Sequence, residues 1–238
     1  HGLNGGKPVV ADFNGDGSDE LGIFAAGKWY IRTVNGAAIA WGVNWGGPGM
    51  TAVAGDYNND GTADLAVYHE ATGRWYVRSL AGPVLAWNIQ HGGPGASAVA
   101  GDYNNDGNAD LAVVFRATGK WYIRNALNNQ ALAWNKQFGN AAARFISGDF
   151  DSDGASELIA YFPSVNHQWY VMAHNQGSYI LNGAPWGMTD SVPFIFNGKV
   201  AVLQQDRTWY VREDANSVLT VNTLSGQLNA IPVGTTSL

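Results

Sequence analysis

The pair Trp-Tyr recurs five times in the chain, and this recurrence restricts the possible folds more than any other feature. A period of about 40 to 50 residues is typical of folds in which one supersecondary unit is repeated and buries its apolar face against its neighbours. The 238 residues are therefore predicted to form a single domain, residues 1–238, made of five repeats of which the fifth is shortened. The tryptophans lie 46, 46, 48 and 40 residues apart, at Trp29, Trp75, Trp121, Trp169 and Trp209.

Each repeat contains four short strand signals separated by turn residues. In the second repeat they are residues 51–57, 65–69, 74–79 and 84–89, where apolar and polar residues alternate. Four antiparallel strands in each repeat are typical of a propeller blade. We predict an all-β fold, a five-bladed β-propeller of four-stranded antiparallel blades. Residues 7–11 and 230–234 both copy the first strand, so either could close the ring; the alternative, an open stack, would leave sheet edges exposed.

The composition excludes several classes of protein. The chain has no cysteine, so neither a disulfide framework nor a thiolate metal site is available. Its net charge is -6, which disfavours nucleic acid and anionic membranes as partners because both require a basic face. No apolar run reaches the roughly 20 residues that a membrane-spanning helix needs. We therefore expect no nucleic-acid partner and no membrane insertion.

The first four repeats each contain an acidic loop between the first two strand signals. Counted from the first Asp, side-chain oxygens recur at positions 1, 3, 5 and 9, glycine occupies position 6, and position 7 offers its backbone carbonyl. Ca²⁺ takes about six to eight oxygen ligands, and this spacing around a sharp glycine turn supplies them. The predicted ligands are Asp12, Asn14, Asp16, Ser18 and Glu20; Asp56, Asn58, Asp60, Thr62 and Asp64; Asp102, Asn104, Asp106, Asn108 and Asp110; and Asp149, Asp151, Asp153, Ala155 and Glu157.

A simpler interpretation is that Asp, Asn and Gly only form side-chain-capped turns in these loops. Four copies in the same register favour metal binding instead, and most of the 19 acidic residues are the proposed ligands. We therefore expect four Ca²⁺ ions and a less stable protein without them. Loops of this kind usually bind calcium at extracellular concentrations, which predicts a secreted or cell-surface protein.

The second acidic loop and the strand after it read Asp-Tyr-Asn-Asn-Asp-Gly-Thr-Ala-Asp-Leu-Ala-Val-Tyr over residues 56–68. This segment resembles the FG-GAP or VCBS repeat family, and the resemblance extends over nearly the whole chain. The family includes integrin α-subunit propellers, fungal lectins and secreted glycan-degrading enzymes of bacteria. The resemblance implies a propeller with calcium in loops between adjacent strands of a blade. Two departures are the short repeats and the fifth repeat, which has lost its loop.

The aromatic residues fall into two classes. The recurring Trp-Tyr pairs are interpreted as packing between blades rather than as ligand contacts, because every blade carries them. The second class occupies two positions ahead of the next acidic loop. Flat rings beside Gly-rich backbone suit the apolar face of a sugar at these positions. The alternative is that the rings cap the core between blades, above all at the first position. The candidate ligand-binding residues are Trp41, Trp87 and Trp134 at the first position, and Trp45, His91, Phe138 and Trp186 at the second.

Three functions are compatible with these features. The favoured hypothesis is a secreted calcium-binding propeller that binds a glycan or polysaccharide through weak repeated sites. The alternatives are a structural or adhesive module that binds surface proteins, and a polysaccharide lyase or glycoside hydrolase. The five histidines fall at different phases of the repeat and belong to no catalytic or zinc spacing, so we name no catalytic residue and favour a binding protein over an enzyme.

Overall fold

The computed structural model describes residues 6–188, 191–196, 199–203, 209–212 and 220–222. It contains twenty strands. They are β1 (Lys7–Ala11), β2 (Glu20–Ala25), β3 (Lys28–Arg32), β4 (Ala38–Asn44), β5 (Met50–Ala52), β6 (Leu65–His69), β7 (Arg74–Arg78), β8 (Val84–Gln90), β9 (Ala96–Ala98), β10 (Leu111–Phe115), β11 (Lys120–Arg124), β12 (Ala131–Gln137), β13 (Arg144–Gly148), β14 (Glu157–Phe162), β15 (Gln168–Met172), β16 (Tyr179–Pro185), β17 (Val192–Phe196), β18 (Lys199–Leu203), β19 (Trp209–Arg212) and β20 (Thr220–Asn222). Within this part of the chain we find no helix with the length and apolar character of a membrane span.

Each repeat folds into its own sheet of four antiparallel strands, ordered as they occur in the sequence. The prediction of an all-β propeller built from four-stranded sheets is thus confirmed. The first strand of the second repeat is shorter than predicted: it ends at Ala52, and Gly55 pairs with Asp64 only as an isolated bridge.

The predicted count of five blades needs correction to four. Sheets β1–β4, β5–β8, β9–β12 and β13–β16 carry the complete unit, in which an acidic loop joins the first two strands, and we call them blades 1 to 4. The fifth sheet, β17–β20, packs on blade 4 through Val200 and Val202, but its first two strands are only two residues apart in the sequence, since β17 ends at Phe196 and β18 begins at Lys199. It therefore lacks the loop that links each blade to the next. Of the two candidate closing segments, residues 7–11 form β1, and residues 230–234 lie outside the described residues.

The core fills the gaps between neighbouring sheets, and the tryptophan of each Trp-Tyr pair stands at its centre. Trp75 of blade 2 clusters with Leu111 and Val113 of blade 3, and Trp121 of blade 3 meets the ring of Phe145 of blade 4 edge-on at 5.7 Å. The predicted packing role of these tryptophans is confirmed, because all four in the blades are fully buried: Trp29, Trp75, Trp121 and Trp169.

The indole N–H of each buried tryptophan also closes its own blade. It donates to the backbone carbonyl just beyond the outermost strand, which satisfies a buried donor that would otherwise cost free energy. The acceptors are Trp45 at 2.8 Å, His91 at 2.9 Å, Phe138 at 3.1 Å and Trp186 at 2.8 Å.

Blade 3 offers a matched pair of tryptophans that tests this description. Trp121→Ala removes a buried ring and its hydrogen bond and is expected to cost about 3 to 5 kcal/mol of unfolding free energy. Trp134→Ala removes an exposed ring of the same size in the same blade and is expected to change the unfolding free energy by less than about 1 kcal/mol. Urea denaturation followed by far-ultraviolet circular dichroism measures both variants. Equal losses in the two would contradict the assignment of Trp121 to the core.

Candidate functional site

The four acidic loops join the first and second strands of the four blades. They are loop 1 (residues 12–20), loop 2 (56–64), loop 3 (102–110) and loop 4 (149–157). In each loop the carboxylate at position 1 accepts the backbone N–H of the glycine at position 6, at 2.8, 2.9, 2.7 and 3.0 Å in chain order. These glycines have φ between 84° and 92°, the left-handed region that glycine enters without strain. The loops thus curl around the first carboxylate as the spacing predicts.

Positions 5 and 9 complete the ring of oxygens in each loop. The carboxylate at position 5 accepts the backbone N–H of position 7 at 2.8 to 2.9 Å in all four loops. The carboxylate at position 9 is buried and accepts the backbone N–H of position 2, at 2.7 to 3.0 Å. Among the described residues, single carboxylate oxygens of three predicted ligands meet within 4.8 Å in loop 4. In loops 1 to 3 the asparagine at position 3 donates its amide N–H to the carboxylate at position 5, at 2.9 to 3.0 Å.

The residue at position 2 is a contribution that the sequence analysis missed. It is a buried aromatic in every loop, and it anchors the loop in the core while its N–H orients the carboxylate at position 9. The sequence signal was present, because an aromatic residue follows the first Asp in all four copies: Phe13, Tyr57, Tyr103 and Phe150.

Loops 2 and 3 each bury a carboxylate oxygen without a partner. Asp64 and Asp110 are 0% exposed, and their Oδ1 atoms accept no hydrogen bond from the residues that the structure describes. A buried unpaired carboxylate oxygen is costly unless a cation or a proton occupies it. Burial, together with the neighbouring loop carboxylates, raises the pKa of both carboxyl groups to about 7. Carboxylate oxygens are the hard donors that a divalent cation such as Ca²⁺ prefers.

Loop 4 concentrates the most negative charge. It has Asp151 where the other loops have asparagine, and single carboxylate oxygens of Asp149, Asp151 and Asp153 lie within 4.8 Å of one another. Burial raises the pKa of Glu157, at position 9 of this loop, to about 8, with the three aspartates adding to the shift. Position 7 is Ala155, so its backbone carbonyl is the only oxygen that this position can offer.

Backbone hydrogen bonds connect the loops in series. The N–H at position 8 of each loop donates to the carbonyl at position 1 of the preceding loop. The bonds run from Ala63 to Asp12 at 2.6 Å, from Ala109 to Asp56 at 2.5 Å and from Ser156 to Asp102 at 2.6 Å. Each of these bonds therefore joins the residue next to the buried carboxylate of the later loop to the first Asp of the earlier loop.

The first-position tryptophans stand on the surface of the outermost strands, and we call them the rim tryptophans. Trp41, Trp87 and Trp134 are 62%, 63% and 68% exposed. Each ring meets the tyrosine of its own Trp-Tyr pair edge-on at 5.0 to 5.3 Å. This contact fixes the orientation of the indole and leaves most of its surface free.

Blade 4 lacks a rim tryptophan. There Asn182 pairs with Tyr170, in the register that Trp41 and Trp87 occupy opposite Tyr30 and Tyr76. A blade of this kind therefore folds without an exposed indole, and the packing of the blades does not account for the three that are present.

The second-position residues lie at the junctions between blades. His91, Phe138 and Trp186 are buried, and Trp45 is half-buried. Trp45 donates its indole N–H to the Tyr76 carbonyl of blade 2 at 3.3 Å, and Nε2 of His91 lies 3.0 Å from the Tyr122 carbonyl of blade 3. Burial lowers the pKa of His91 to about 4, so its ring is neutral at pH 7. These side chains join one blade to the next, and they present less free surface to a ligand than the rim tryptophans do.

Comparisons with known proteins place the chain by fold alone. No protein-family model matches it, and no curated protein matches it. A lectin from Agrocybe aegerita, whose structure shows specific recognition of non-reducing terminal N-acetylglucosamine, is 17% identical with a TM-score of 0.54, and the match covers 92% of this chain and 66% of the lectin. A protein of unknown function from Bacteroides caccae is 14% identical with a TM-score of 0.54, covering 93% and 78% of the two chains.

A third similar structure is BBS1N in complex with ARL6DN, with 12% identity, a TM-score of 0.53 and coverage of 94% and 82%. The chain spans about two thirds of the length of the lectin. At these identities the similarities support the β-propeller fold and carry no function with them.

The buried loop carboxyls predict how pH affects the chelated protein. Asp64, Asp110 and Glu157 keep their protons when folded at pH values where the unfolded chain has lost them, so the unfolding free energy falls as pH rises towards 7 and 8. Burial lowers the pKa of His91 and His174 from 6.5 to about 4. These two histidines make the unfolding free energy rise with pH, but only below pH 6.5. We expect the melting temperature in excess chelator to fall between about pH 6.5 and 8.5.

The matched variant is Asp64→Asn with Asp110→Asn, which removes two of the three titrating groups. Thermal melts of the chelated wild-type protein and of this variant, taken in the same buffers, measure the effect. The variant is expected to show a shallower fall. A melting temperature that rises over this interval in the wild-type protein would contradict the assignment of the protons.

Proposed function

We propose that this chain is an extracellular, calcium-stabilised β-propeller that binds carbohydrate through its rim tryptophans. The observation that carries the proposal is the exposure of Trp41, Trp87 and Trp134 at equivalent positions in three successive blades. An isolated exposed aromatic needs no explanation, but a repeated and oriented one marks an interaction site.

Calcium supplies the fixed framework in this proposal. The unpartnered oxygens of Asp64 and Asp110 and the three aspartates of loop 4 would hold the ions, with the carbonyl at position 7 as a further ligand. Bound cations remove the repulsion among the carboxylates, and they stabilise the folded state by mass action. Because the loops are hydrogen-bonded in series, ions held in them would also fix each blade relative to the next.

The chemistry of the rim suits a sugar ring. An indole offers a flat π-face to the C–H groups of a pyranose, and the edge-on tyrosine holds that face in place. In blade 1 the guanidinium of Arg32 lies 5.4 Å from the centroid of the Trp41 ring, where its N–H groups can donate to sugar hydroxyls. Three weak sites on one rigid body would together bind a repetitive polysaccharide tightly. The similarity in fold to a lectin that recognises N-acetylglucosamine supports this proposal.

A protein partner is the second candidate. Val34 and Leu127, in the turns that precede β4 and β12, are exposed apolar residues that a sugar does not require. Tryptophan, tyrosine and arginine are also the residues that dominate protein interfaces, and one similar propeller is seen in complex with a protein. Substitutions of the rim tryptophans and of the pair Val34 and Leu127 distinguish a glycan partner from a protein partner.

Calcium binding is tested first, by isothermal titration of chelator-treated protein and by thermal melting. Each occupied site at a hundredfold excess over its Kd adds about 2.7 kcal/mol, so removal of calcium is expected to lower the melting temperature by roughly 5 to 10 °C for each site lost. Asp64→Asn with Asp110→Asn should abolish binding at loops 2 and 3.

Thr62→Ala is the matched control in loop 2, because position 7 contributes its backbone carbonyl to the proposed site; the hydroxyl only donates to Asp60, and loop 4 has alanine at this position. Its calcium affinity should stay close to that of the wild-type protein. A melting temperature that is unchanged by chelator, together with no heat of binding, would refute the calcium proposal.

Glycan binding is tested on a panel of immobilised neutral polysaccharides. Replacement of one rim tryptophan by alanine should weaken retention about tenfold, and the triple variant Trp41→Ala, Trp87→Ala and Trp134→Ala should lose it. Asn182→Trp, which gives blade 4 the missing ring, should strengthen it. Val34→Ala with Leu127→Ala is the control for a protein surface and should leave retention unchanged. Retention that is insensitive to the triple variant would refute the role of the rim.

A further inference from the structure

A cavity of about 360 Å³ opens on the face of blade 4 that meets blade 3. Its volume lies at the lower end of the roughly 300 to 1,000 Å³ that is usual for small-molecule sites. Phe138 from the end of blade 3 forms one wall, and Phe162, Tyr170 and Tyr179 of blade 4 form the others. Apart from its tyrosines, the lining contains no ionisable side chain.

The four aromatic rings of this cavity form a continuous series. Phe138 and Tyr179 have ring centroids 6.2 Å apart, Tyr179 and Tyr170 also 6.2 Å, and Tyr170 and Phe162 5.4 Å. Phe138 is buried, whereas Tyr179 is half exposed and stands at the mouth. The exposed ring of Tyr179 is therefore flanked by the buried ring of Phe138 on one side and by Tyr170 and Phe162 on the other.

The lining also contains two amide side chains, those of Asn140 and Gln168. Gln168 lines the cavity, and its carbonyl oxygen Oε1 accepts the hydroxyl of Tyr170 at 3.0 Å. This bond fixes the amide so that its Nε2–H₂ group, for which the described residues show no acceptor, remains available to a ligand. A pocket of apolar walls with one or two oriented polar groups is the usual form of a ligand site.

Blade 4 departs from the other blades at the residues that border this cavity. Lys120 and Arg124 of blade 3 correspond to Gln168 and Met172, since each pair begins and ends the Trp-Tyr strand. Tyr179, opposite Met172, takes the place of Ala131, opposite Arg124. Cations are replaced by neutral groups, and a small residue is replaced by an aromatic ring.

A third replacement concerns the arginine that bridges blades 2 and 3, which has no counterpart between blades 3 and 4. In blade 3, Arg116 follows Phe115 and reaches back to blade 2, where it pairs with Glu70 at 2.6 Å and donates to Ser97, at the start of blade 3, at 2.7 Å. In blade 4, Pro163 follows Phe162, so no long polar chain bridges blades 3 and 4 at this position. The junction is left with a cavity in place of an ion pair.

We propose that this cavity is a second carbohydrate subsite, which takes a single uncharged pyranose carrying an apolar substituent such as an acetamido methyl group. The rings of Tyr170 and Tyr179 hold the apolar side of the sugar, and the Nε2–H₂ group of Gln168 donates to a carbonyl or ring oxygen. A charged sugar is excluded because the lining offers no counter-ion for it. The subsite deepens the proposed carbohydrate binding and is separate from the rim.

The test uses the calcium-loaded chain and four probes, the methyl glycosides of glucose, galactose, mannose and N-acetylglucosamine, in saturation-transfer difference NMR with isothermal titration of any that bind. At least one probe is expected to bind at millimolar concentration. Tyr179→Ala, which copies Ala131 of blade 3, should weaken it at least about tenfold. Gln168→Lys, which copies Lys120, should abolish it by placing a cation in the cavity.

Lys120→Gln is the matched control in blade 3 and should leave the affinity unchanged, and thermal melts check that each variant is folded. The triple rim variant should keep full binding of the monosaccharide while it loses retention on polysaccharides. If no probe binds the wild-type protein, or if binding survives Gln168→Lys but disappears in the rim variant, the cavity is not a sugar site. In either case the rim proposal is judged separately by polysaccharide retention.

Discussion

The buried tryptophan of each repeat is the contact on which the structure depends. A single side chain fills the gap between two sheets, and its indole N–H holds the carbonyl at which its own blade ends. The same tryptophan therefore fixes the end of its own blade and the spacing to the neighbouring blade. Because the requirement is met once in every repeat, other surface of each blade is free to vary, and the rim tryptophans and the aromatic cavity lie on that variable part.

Electrostatics sets the second constraint. Each loop holds three or four acidic residues within nine positions and buries the one at position 9, an arrangement that is unfavourable in an apolar interior without a proton or a cation. The position-2 aromatic and the backbone N–H groups offset only part of this cost, since Asp64 and Asp110 each keep an oxygen without a donor. If the proposed calcium ions occupy the loops, the stability of the blades depends on that occupancy, as is expected for a metal site whose ligands come together only in the folded state.

Much of this architecture follows from the sequence, because the units are local. The four strands, the loop positions and the buried tryptophans were predictable from period and alternation. The sequence did not predict which aromatic positions face solvent. The outermost strand of each blade carries a β-bulge between the first and the second aromatic position. The register shifts next to Tyr76, and Asn88 has φ of 61°, so alternation cannot be counted across that point. The cavity was also beyond reach, because it forms between Phe138 at the end of blade 3 and side chains of blade 4, and this approach depends on how the two sheets pack.

The hydrogen bonds between the loops run in one direction, and this polarity bears on how the molecule is assembled. Each carbonyl acceptor belongs to the earlier loop and each N–H donor to the later one. On the ribosome the acceptor is therefore already present when the donor emerges, and every new blade can dock on a completed edge. Growth in this order needs no rearrangement of what has already formed.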